Sequence, residues 1–122
     1  MVEILDTTLR EGEQTPKVTF TVNEKMEIAS LLDEFGVNII EAGHPRVSTD
    51  IFHAVKTIAQ QGLNAEILAH CRTLKEDIDL ALSCDVDWVG IFYCVSNKRI
   101  TDQFKKDINT IETQITTTIR LF

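Results

Sequence analysis

The sequence predicts an α/β fold of about four parallel strands with flanking helices. Apolar runs of β-forming residues alternate with segments of helical periodicity three times, and a fourth such run follows. Each unit takes about 25 to 30 residues, which is typical of parallel βαβ construction. Polar residues follow each of the first three strands, and parallel strands end at one edge of a sheet. The sequence therefore predicts a parallel sheet that carries a polar site at that edge.

The first predicted strand covers residues 2–5, a short run of β-formers. Five charged or amide residues follow within nine positions: Asp6, Arg10, Glu11, Glu13 and Gln14. Gly12 allows a sharp turn among them, and Pro16 prevents a helix from continuing through. An arginine beside a carboxylate can bind an anionic substrate and offer an oxygen ligand to a divalent cation. The alternative is a solvated loop, because exposed ion pairs are common.

The first predicted helix begins at an N-cap, Asn23, runs through Glu34 and stops at Gly36. Its apolar stripe consists of Ile28, Leu31, Leu32 and Phe35. A second strand follows at residues 37–42. The next helix is capped by Ser48 and ends near Gly62, with a stripe formed by Ile51, Val55, Ile58 and Ala59.

The third strand is predicted at residues 65–69, and Thr73 with Glu76 fits a capping box for a third helix. The stripe of that helix consists of Leu74, Ile78, Ala81 and Leu82. The fourth strand is predicted at residues 86–92. We divide the chain into a βα part, residues 1–97, and a helical tail, residues 98–122, whose stripe is Ile100, Phe104, Ile108, Ile111, Ile115 and Ile119.

The composition and charge of the chain limit the classes of function that it can have. The 122 residues carry a net charge of -7, which disfavours binding to nucleic acid or an anionic membrane. No apolar run approaches the roughly 20 residues that span a bilayer, and the N-terminus lacks the pattern of a signal peptide. The three cysteines form no Cys-x-x-Cys pair, which indicates reduced thiols in a cytoplasmic protein rather than a zinc site.

Four segments carry a family resemblance: residues 6–14, 41–45, 69–72 and 86–92. The first, Asp-Thr-Thr-Leu-Arg-Glu-Gly-Glu-Gln, resembles the opening signature of the homocitrate synthase and isopropylmalate synthase family. These are acyl-CoA-condensing relatives of hydroxymethylglutaryl-CoA lyase. The resemblance covers residues 2 to about 97 and implies the N-terminal half of a (β/α)8 TIM barrel.

The resemblance also implies roles for site residues. Glu11 matches a metal ligand, for Mg²⁺, Mn²⁺ or Zn²⁺, and Arg10 matches the catalytic arginine that polarises the keto oxygen of a 2-oxo acid. Gln14 matches a residue that lines the same pocket, and His70 matches one that contacts the distal part of 2-oxoglutarate. Acetyl-CoA is the co-substrate of the family, and the reaction is an acyl transfer in lysine biosynthesis.

The predicted strand ends add Glu41, His44 and Arg72 to the substrate-binding candidates. Alternatives stay open for two of them. Glu41 can form a structural ion pair with Arg10 or Arg72, and His44 can shape the turn before a proline. Glu11, His44 and His70 together favour the homocitrate branch. An isopropylmalate or citramalate synthase-like fragment, a lyase-type relative and a non-catalytic 2-oxo-acid-binding remnant are the alternatives.

The chain also departs from the family pattern. Its histidines are His44, His53 and His70, so it has no His-x-His pair of the kind that completes the family's metal site. We therefore expect weak metal binding and a truncated, inactive chain when it is alone. An open half-barrel exposes strand edges and an apolar face, so we also expect self-association or pairing with a complementary half-barrel.

Overall fold

A computed structural model describes residues 1–122. Its strands are β1 (Leu5–Asp6), β2 (Ile39–Gly43), β3 (Glu66–Arg72) and β4 (Trp88–Phe92). Its α-helices are α1 (Val22–Phe35), α2 (Thr49–Ala59), α3 (Lys75–Leu82) and α4 (Ile108–Arg120). A 3₁₀ turn at Gly12–Gln14 and a π-helix at Arg99–Gln103 complete the regular structure. None of the helices has the length and apolar character needed to cross a membrane.

The four strands form one parallel sheet in the order β1-β2-β3-β4. This sequential order, with a helix after each of the first three strands, is that of the first half of a (β/α)8 barrel. The predicted fold class, number of strands and strand direction are confirmed.

One face of the sheet is closed by helices. Strand residues that alternate along β2 and β3 are fully or almost fully buried there: Ile40, Ala42, Ile67, Ala69 and Cys71. Val55 and Ile58 of α2 complete this core, which confirms the apolar stripe predicted for that helix.

Burial raises the pKa of the Cys71 and Cys84 thiols to about 11, so both side chains serve as small apolar groups.

A β-bulge in β2 redirects the strand as it approaches its carboxyl end. Glu41 pairs with Leu68, but Gly43 pairs with Ala69, so β2 has one more residue than β3 at this point. In a regular strand, residues three apart point to opposite faces. The bulge instead allows Glu41 and His44 to reach the same side of the sheet, where both approach His70.

Helix α1 begins earlier than predicted. Its N-cap is Thr21, not Asn23, because Thr21 and Glu24 form a reciprocal capping box. Gly36 ends the helix as predicted, with a positive φ of 96°. The predicted stripe is partly wrong: Leu31 and Phe35 are exposed, and the buried positions of α1 are Lys25 and Ala29.

The predicted capping box of α3 is wrong. The N-cap is Leu74 and makes no side-chain cap. The Thr73 hydroxyl instead donates to the Phe92 carbonyl at 2.9 Å, which ties the end of β3 to the end of β4. Leu82, predicted on the buried stripe, is exposed, whereas Asp77 in the first turn of α3 is buried.

The strand boundaries also differ from the prediction. Strand β1 is limited to two residues, β3 extends through Arg72, and β4 begins at Trp88. His70 and Arg72 therefore lie within a strand rather than after it. The predicted apolar stripe of the tail is divided between the π-helix and α4. A new helix begins after Asp107, because the carboxylate of this N-cap residue accepts a hydrogen bond from the Thr110 amide at 2.7 Å.

Candidate active site

The loop after β1 is shaped by hydrogen bonds to its own backbone. The Thr7 carbonyl accepts from the amides of Arg10, Glu11 and Gly12 at 3.1, 2.8 and 3.3 Å. The Asp6 carboxylate accepts from the Thr8 amide at 2.9 Å. Asp6 therefore stabilises the turn, in the manner of a short-range cap. This turn places Arg10 next to the ends of β2 and β3.

Arg10, Glu41 and His70 meet at that edge of the sheet. Arg10 Nε and His70 Nδ1 lie 3.0 and 3.1 Å from the same oxygen, Glu41 Oε1. The residues come from three consecutive strand ends, as the sequence predicted. The Glu11 carboxylate pairs with Arg10 Nη1 and remains largely exposed. We name the group of Arg10, Glu11, Glu41 and His70 the Arg10 cluster.

Glu41, the member of the Arg10 cluster that Arg10 and His70 share, is buried but incompletely paired. The Glu41 side chain is 5% exposed, and its Oε2 atom has no hydrogen-bond partner. The Arg10 Nε–H group is also not aligned on an acceptor, so its contact with Glu41 is an ion pair without hydrogen-bond geometry. Buried polar groups in native proteins are normally satisfied. Unsatisfied groups at a strand end are therefore consistent with a site that binds a polar ligand.

His70 is held between the charged groups and an aromatic ring. Its imidazole stacks on Phe92, with ring centroids 4.5 Å apart and an angle of 8° between the planes. Burial and then the Arg10 charge lower the pKa of His70, and the Glu41 charge opposes them. A histidine with a lowered pKa is mainly neutral at pH 7.

His44 links the Arg10 cluster to a second group of charges. Its ring meets His70 edge-on at 5.8 Å and Phe92 at 6.5 Å. On its other side, His44 Nε2 lies 3.4 Å from Asp77 Oδ2. His44 therefore contacts both groups, and its part in substrate binding stays a prediction.

Arg72 is not brought to the Arg10 cluster. Its Nε and Nη2 atoms donate to the two carboxylate oxygens of Asp77 at 2.7 and 2.9 Å. Burial raises the pKa of Asp77, but the Arg72 hydrogen bonds and charge, with a bond from His44, outweigh it and keep that pKa below its ordinary value. Arg72 therefore forms a structural ion pair at the neighbouring strand end.

A buried lysine that was not among the predicted site residues holds the loop after β1. Lys25 of α1 is only 3% exposed, and its Nζ lies 2.5 Å from Glu13 Oε2. Glu13 is therefore not a solvent-facing residue. The sequence does hold a signal for this buried ion pair. Lys25 lies four residues before Ala29, on the same side of the helix, and a lysine on the buried stripe of a helix requires a partner.

The candidate residues line two different clefts. A cleft of about 230 Å³ is lined by Arg10, Gln14 and His44, with apolar walls that include Leu9 and Ile51. A cleft of about 410 Å³ is lined by Arg72 and Phe92 on one side and by the tail on the other. The structure thus groups Gln14 and His44 with Arg10 and assigns Arg72 to a different surface. His53 is exposed on α2.

The chain offers a divalent metal few ligands of its own. No group of three or more histidine, cysteine, aspartate or glutamate side chains lies close enough together to hold an ion. Glu11 is exposed at the edge of the Arg10 cluster, but a single carboxylate does not make a site for Mg²⁺ or a similar ion. The residues present therefore do not fit a metal site formed by this chain alone.

Comparisons with known proteins agree with this architecture. The HMGL-like family model matches residues 1–122, so the match continues beyond residue 97, where the resemblance ended. A homocitrate synthase of Pyrococcus abyssi is 57% identical over 102 residues, covering 84% of this chain and 28% of that protein. One from Pyrococcus horikoshii is 53% identical over 106 residues, covering 87% and 29%.

Homocitrate synthase AksA of Methanocaldococcus jannaschii is 54% identical over 103 residues, covering 84% of this chain and 25% of that protein. The chain spans less than a third of the length of these relatives, and the match falls on their N-terminal part. Its four parallel strands are the N-terminal half of a TIM barrel. The chain belongs to the HMGL-like family.

Proposed function

We propose that this chain supplies the 2-oxo-acid-binding part of a homocitrate synthase-type active site. The observation that carries the proposal is the Arg10 cluster, in which a guanidinium, a buried carboxylate and an imidazole meet at three consecutive strand ends. The similarity to homocitrate synthases supports the reaction class, an acyl transfer that condenses acetyl-CoA with 2-oxoglutarate.

In such a condensation, a base removes a proton from the methyl group of the acetyl thioester, and that carbon then forms a bond to the keto carbon of the 2-oxo acid. The electron pair of the keto double bond moves to the oxygen, and hydrolysis of the thioester then makes the reaction irreversible. A guanidinium close to that oxygen stabilises the negative charge that develops in the transition state. We assign this role to Arg10, whose position is fixed by Glu41 on one side and Glu11 on the other.

The other residues of the site determine which substrate fits. Gln14 and His44 line the same cleft as Arg10, and His70, which does not line that cleft, stacks on Phe92 and contacts Glu41. We propose that this arrangement accepts the distal carboxylate of a 2-oxo dicarboxylic acid at His70, with Glu41 orienting both Arg10 and His70. Arg72 has no direct part in this proposal, because it pairs with Asp77 and lines a different cleft from Arg10.

The metal and the oligomeric state are further parts of the proposal. Glu11 is the residue through which this chain would contribute to a divalent cation site, with the other ligands supplied by substrate and by groups outside residues 1–122. We also propose that the open face of the half-barrel associates with a second copy or a complementary half-barrel.

The test is an Arg10→Lys substitution. Lysine keeps the charge but loses the planar fork that matches a carboxylate and the adjacent keto oxygen. We expect the affinity for 2-oxoglutarate, measured by calorimetry with and without Mg²⁺ or Mn²⁺, to fall about 10- to 100-fold. Arg120→Lys, at the exposed end of α4, is the matched control. Unchanged affinity in the Arg10 variant rejects the assigned role.

Two alternatives are separated by related measurements. An isopropylmalate or citramalate synthase-like acceptor site would prefer a 2-oxo acid without the distal carboxylate, so competition among 2-oxo acids identifies the branch. A purely 2-oxo-acid-binding protein would show affinity but no thiol release in the presence of acetyl-CoA. We expect no thiol release from these 122 residues alone, because Glu11 is their only metal-ligand candidate.

A further inference from the structure

Asp77 is the most deeply buried carboxylate of the chain, with a side chain 1% exposed. It lies in the first turn of α3, outside the Arg10 cluster. Besides the two hydrogen bonds from Arg72, it faces His44 Nε2 at 3.4 Å and Arg46 Nε at 3.8 Å. One carboxylate therefore collects basic groups from the end of β3 and from the loop after β2.

The contact with Asp77 favours one tautomer of the His44 ring. An ionised Asp77 can only accept hydrogen bonds, so its approach to His44 Nε2 at 3.4 Å favours the tautomer that carries a proton on that nitrogen. The centroid of the same ring lies 5.8 Å from that of His70, with the two ring planes nearly perpendicular. His44 is thus held between Asp77 on one side and the Arg10 cluster on the other.

We propose that Asp77 is a positioning residue for the Arg10 site, which holds His44 against His70 and retains Arg72 outside the site. The proposal rests on the proposed function, because the site in question is the 2-oxo-acid site. A structural ion pair would need only Arg72, whose two short bonds satisfy both oxygens of Asp77. The additional approach of His44 links this ion pair to the site.

The experiment replaces Asp77 with asparagine, which has nearly the same shape but no charge and one oxygen instead of two. Asp79→Asn is the matched control, since Asp79 is two residues further along α3 and half exposed. We expect Asp77→Asn to alter the ring-nitrogen NMR signals of His44 and His70 and to weaken 2-oxoglutarate binding about tenfold. Asp79→Asn leaves both readouts unchanged.

Two further variants keep the test decisive if Asp77→Asn does not fold. Asp77→Glu restores a carboxylate, and we expect it to recover the Nε2-protonated state of His44. Arg72→Gln removes both short bonds from the half-exposed partner without opening a cavity. With Arg72 gone, Asp77 is free to turn to His44, and we expect the His44 Nε2–H signal to exchange more slowly with water.

The outcomes distinguish this inference from the proposed function. If the unsubstituted protein binds no 2-oxo acid, the proposed function fails, and the ring signals still report on Asp77. If the His44 and His70 signals remain unchanged in folded Asp77→Asn, the positioning role is wrong even where 2-oxoglutarate binds. A variant that loses only thermal stability also overturns the inference, because a structural ion pair alone predicts that result.

Discussion

The two faces of the sheet differ in how completely they are covered. On the helix-facing side, Ile40, Ile67 and Ala69 are at most 2% exposed. On the opposite, inner face, Leu5 and Trp88 are 44% and 50% exposed, and Phe92 is also open to solvent. Strand register places these inner residues beside Glu41 and Leu68, on the face that carries the Arg10 cluster.

This difference separates the parts of the molecule that stabilise the fold from those that form the site. Apolar side chains that are fully removed from water contribute most of the folding free energy. The inner face contributes little of that burial, yet it holds Arg10, Glu41 and His70. Substitutions on the two faces should therefore affect different measured properties.

The largest effect on stability is expected from Ile40→Ala on the helix-facing side. Ile40 is fully buried, so its truncation leaves a cavity among α1, α2 and the sheet, and we expect a loss of about 3 kcal/mol in unfolding free energy. Leu5→Ala on the inner face should cost less than about 1 kcal/mol. Urea denaturation measures both, and equal losses would contradict the division between the faces.

A smaller effect is expected from Trp88→Lys, which tests whether the inner face binds another half-barrel. A lysine placed between two apolar faces loses its hydration, so we expect the dissociation constant for self-association to rise at least about tenfold, or about 1.4 kcal/mol. Phe35→Lys is the matched control, because Phe35 is highly exposed at the end of α1. Sedimentation velocity measures both variants. A monomeric unsubstituted protein at micromolar concentration would contradict the association.

Much of the fold could be predicted from the sequence because its signals are local. The alternation of β-forming runs with helical stripes gave four strands and their direction, and the polar strand ends brought Arg10, Glu41 and His70 together. Parallel βαβ geometry supplies that convergence without further information. The roles of these residues in binding and catalysis stay predictions.

Identical local signals had different outcomes where tertiary contacts intervened. Thr21 and Thr73 are each followed three residues later by glutamate, the pattern of a capping box. Thr21 forms the box with Glu24, whereas the Thr73 hydroxyl donates to Phe92 on the neighbouring strand. A partner 19 residues away is invisible to a local pattern, so the second prediction was wrong.

The buried charges were missed for a related reason. Lys25 and Asp77 count as polar positions in any hydropathy pattern, yet both are buried, since Glu13 and Arg72 neutralise them. The bulge in β2 also escaped prediction, because its effect on Glu41 and His44 depends on the register with β3. Pairing between residues of different structural elements decides each of these features.

The smallest effect is expected from Gly90→Ala on the inner face. A Cβ at Gly90 would meet Leu68 Cδ2 at 3.0 Å, but that atom ends a flexible side chain that is only partly buried. We expect a loss of less than about 1 kcal/mol in unfolding free energy, measured by urea denaturation at low protein concentration.

The matched comparison is Gly43→Ala on the helix-facing side. Gly43 has a φ of 151°, and a Cβ there would meet Ile51 and Val55 at 3.1 Å within the closed core. We expect this variant to lose about 2 kcal/mol, because neither the backbone nor the branched side chains can move away. Equal losses of unfolding free energy in the Gly90 and Gly43 variants would mean that the Leu68 side chain cannot move away in solution. The inner face would then be covered even at low concentration, and the contrast between the two faces would disappear.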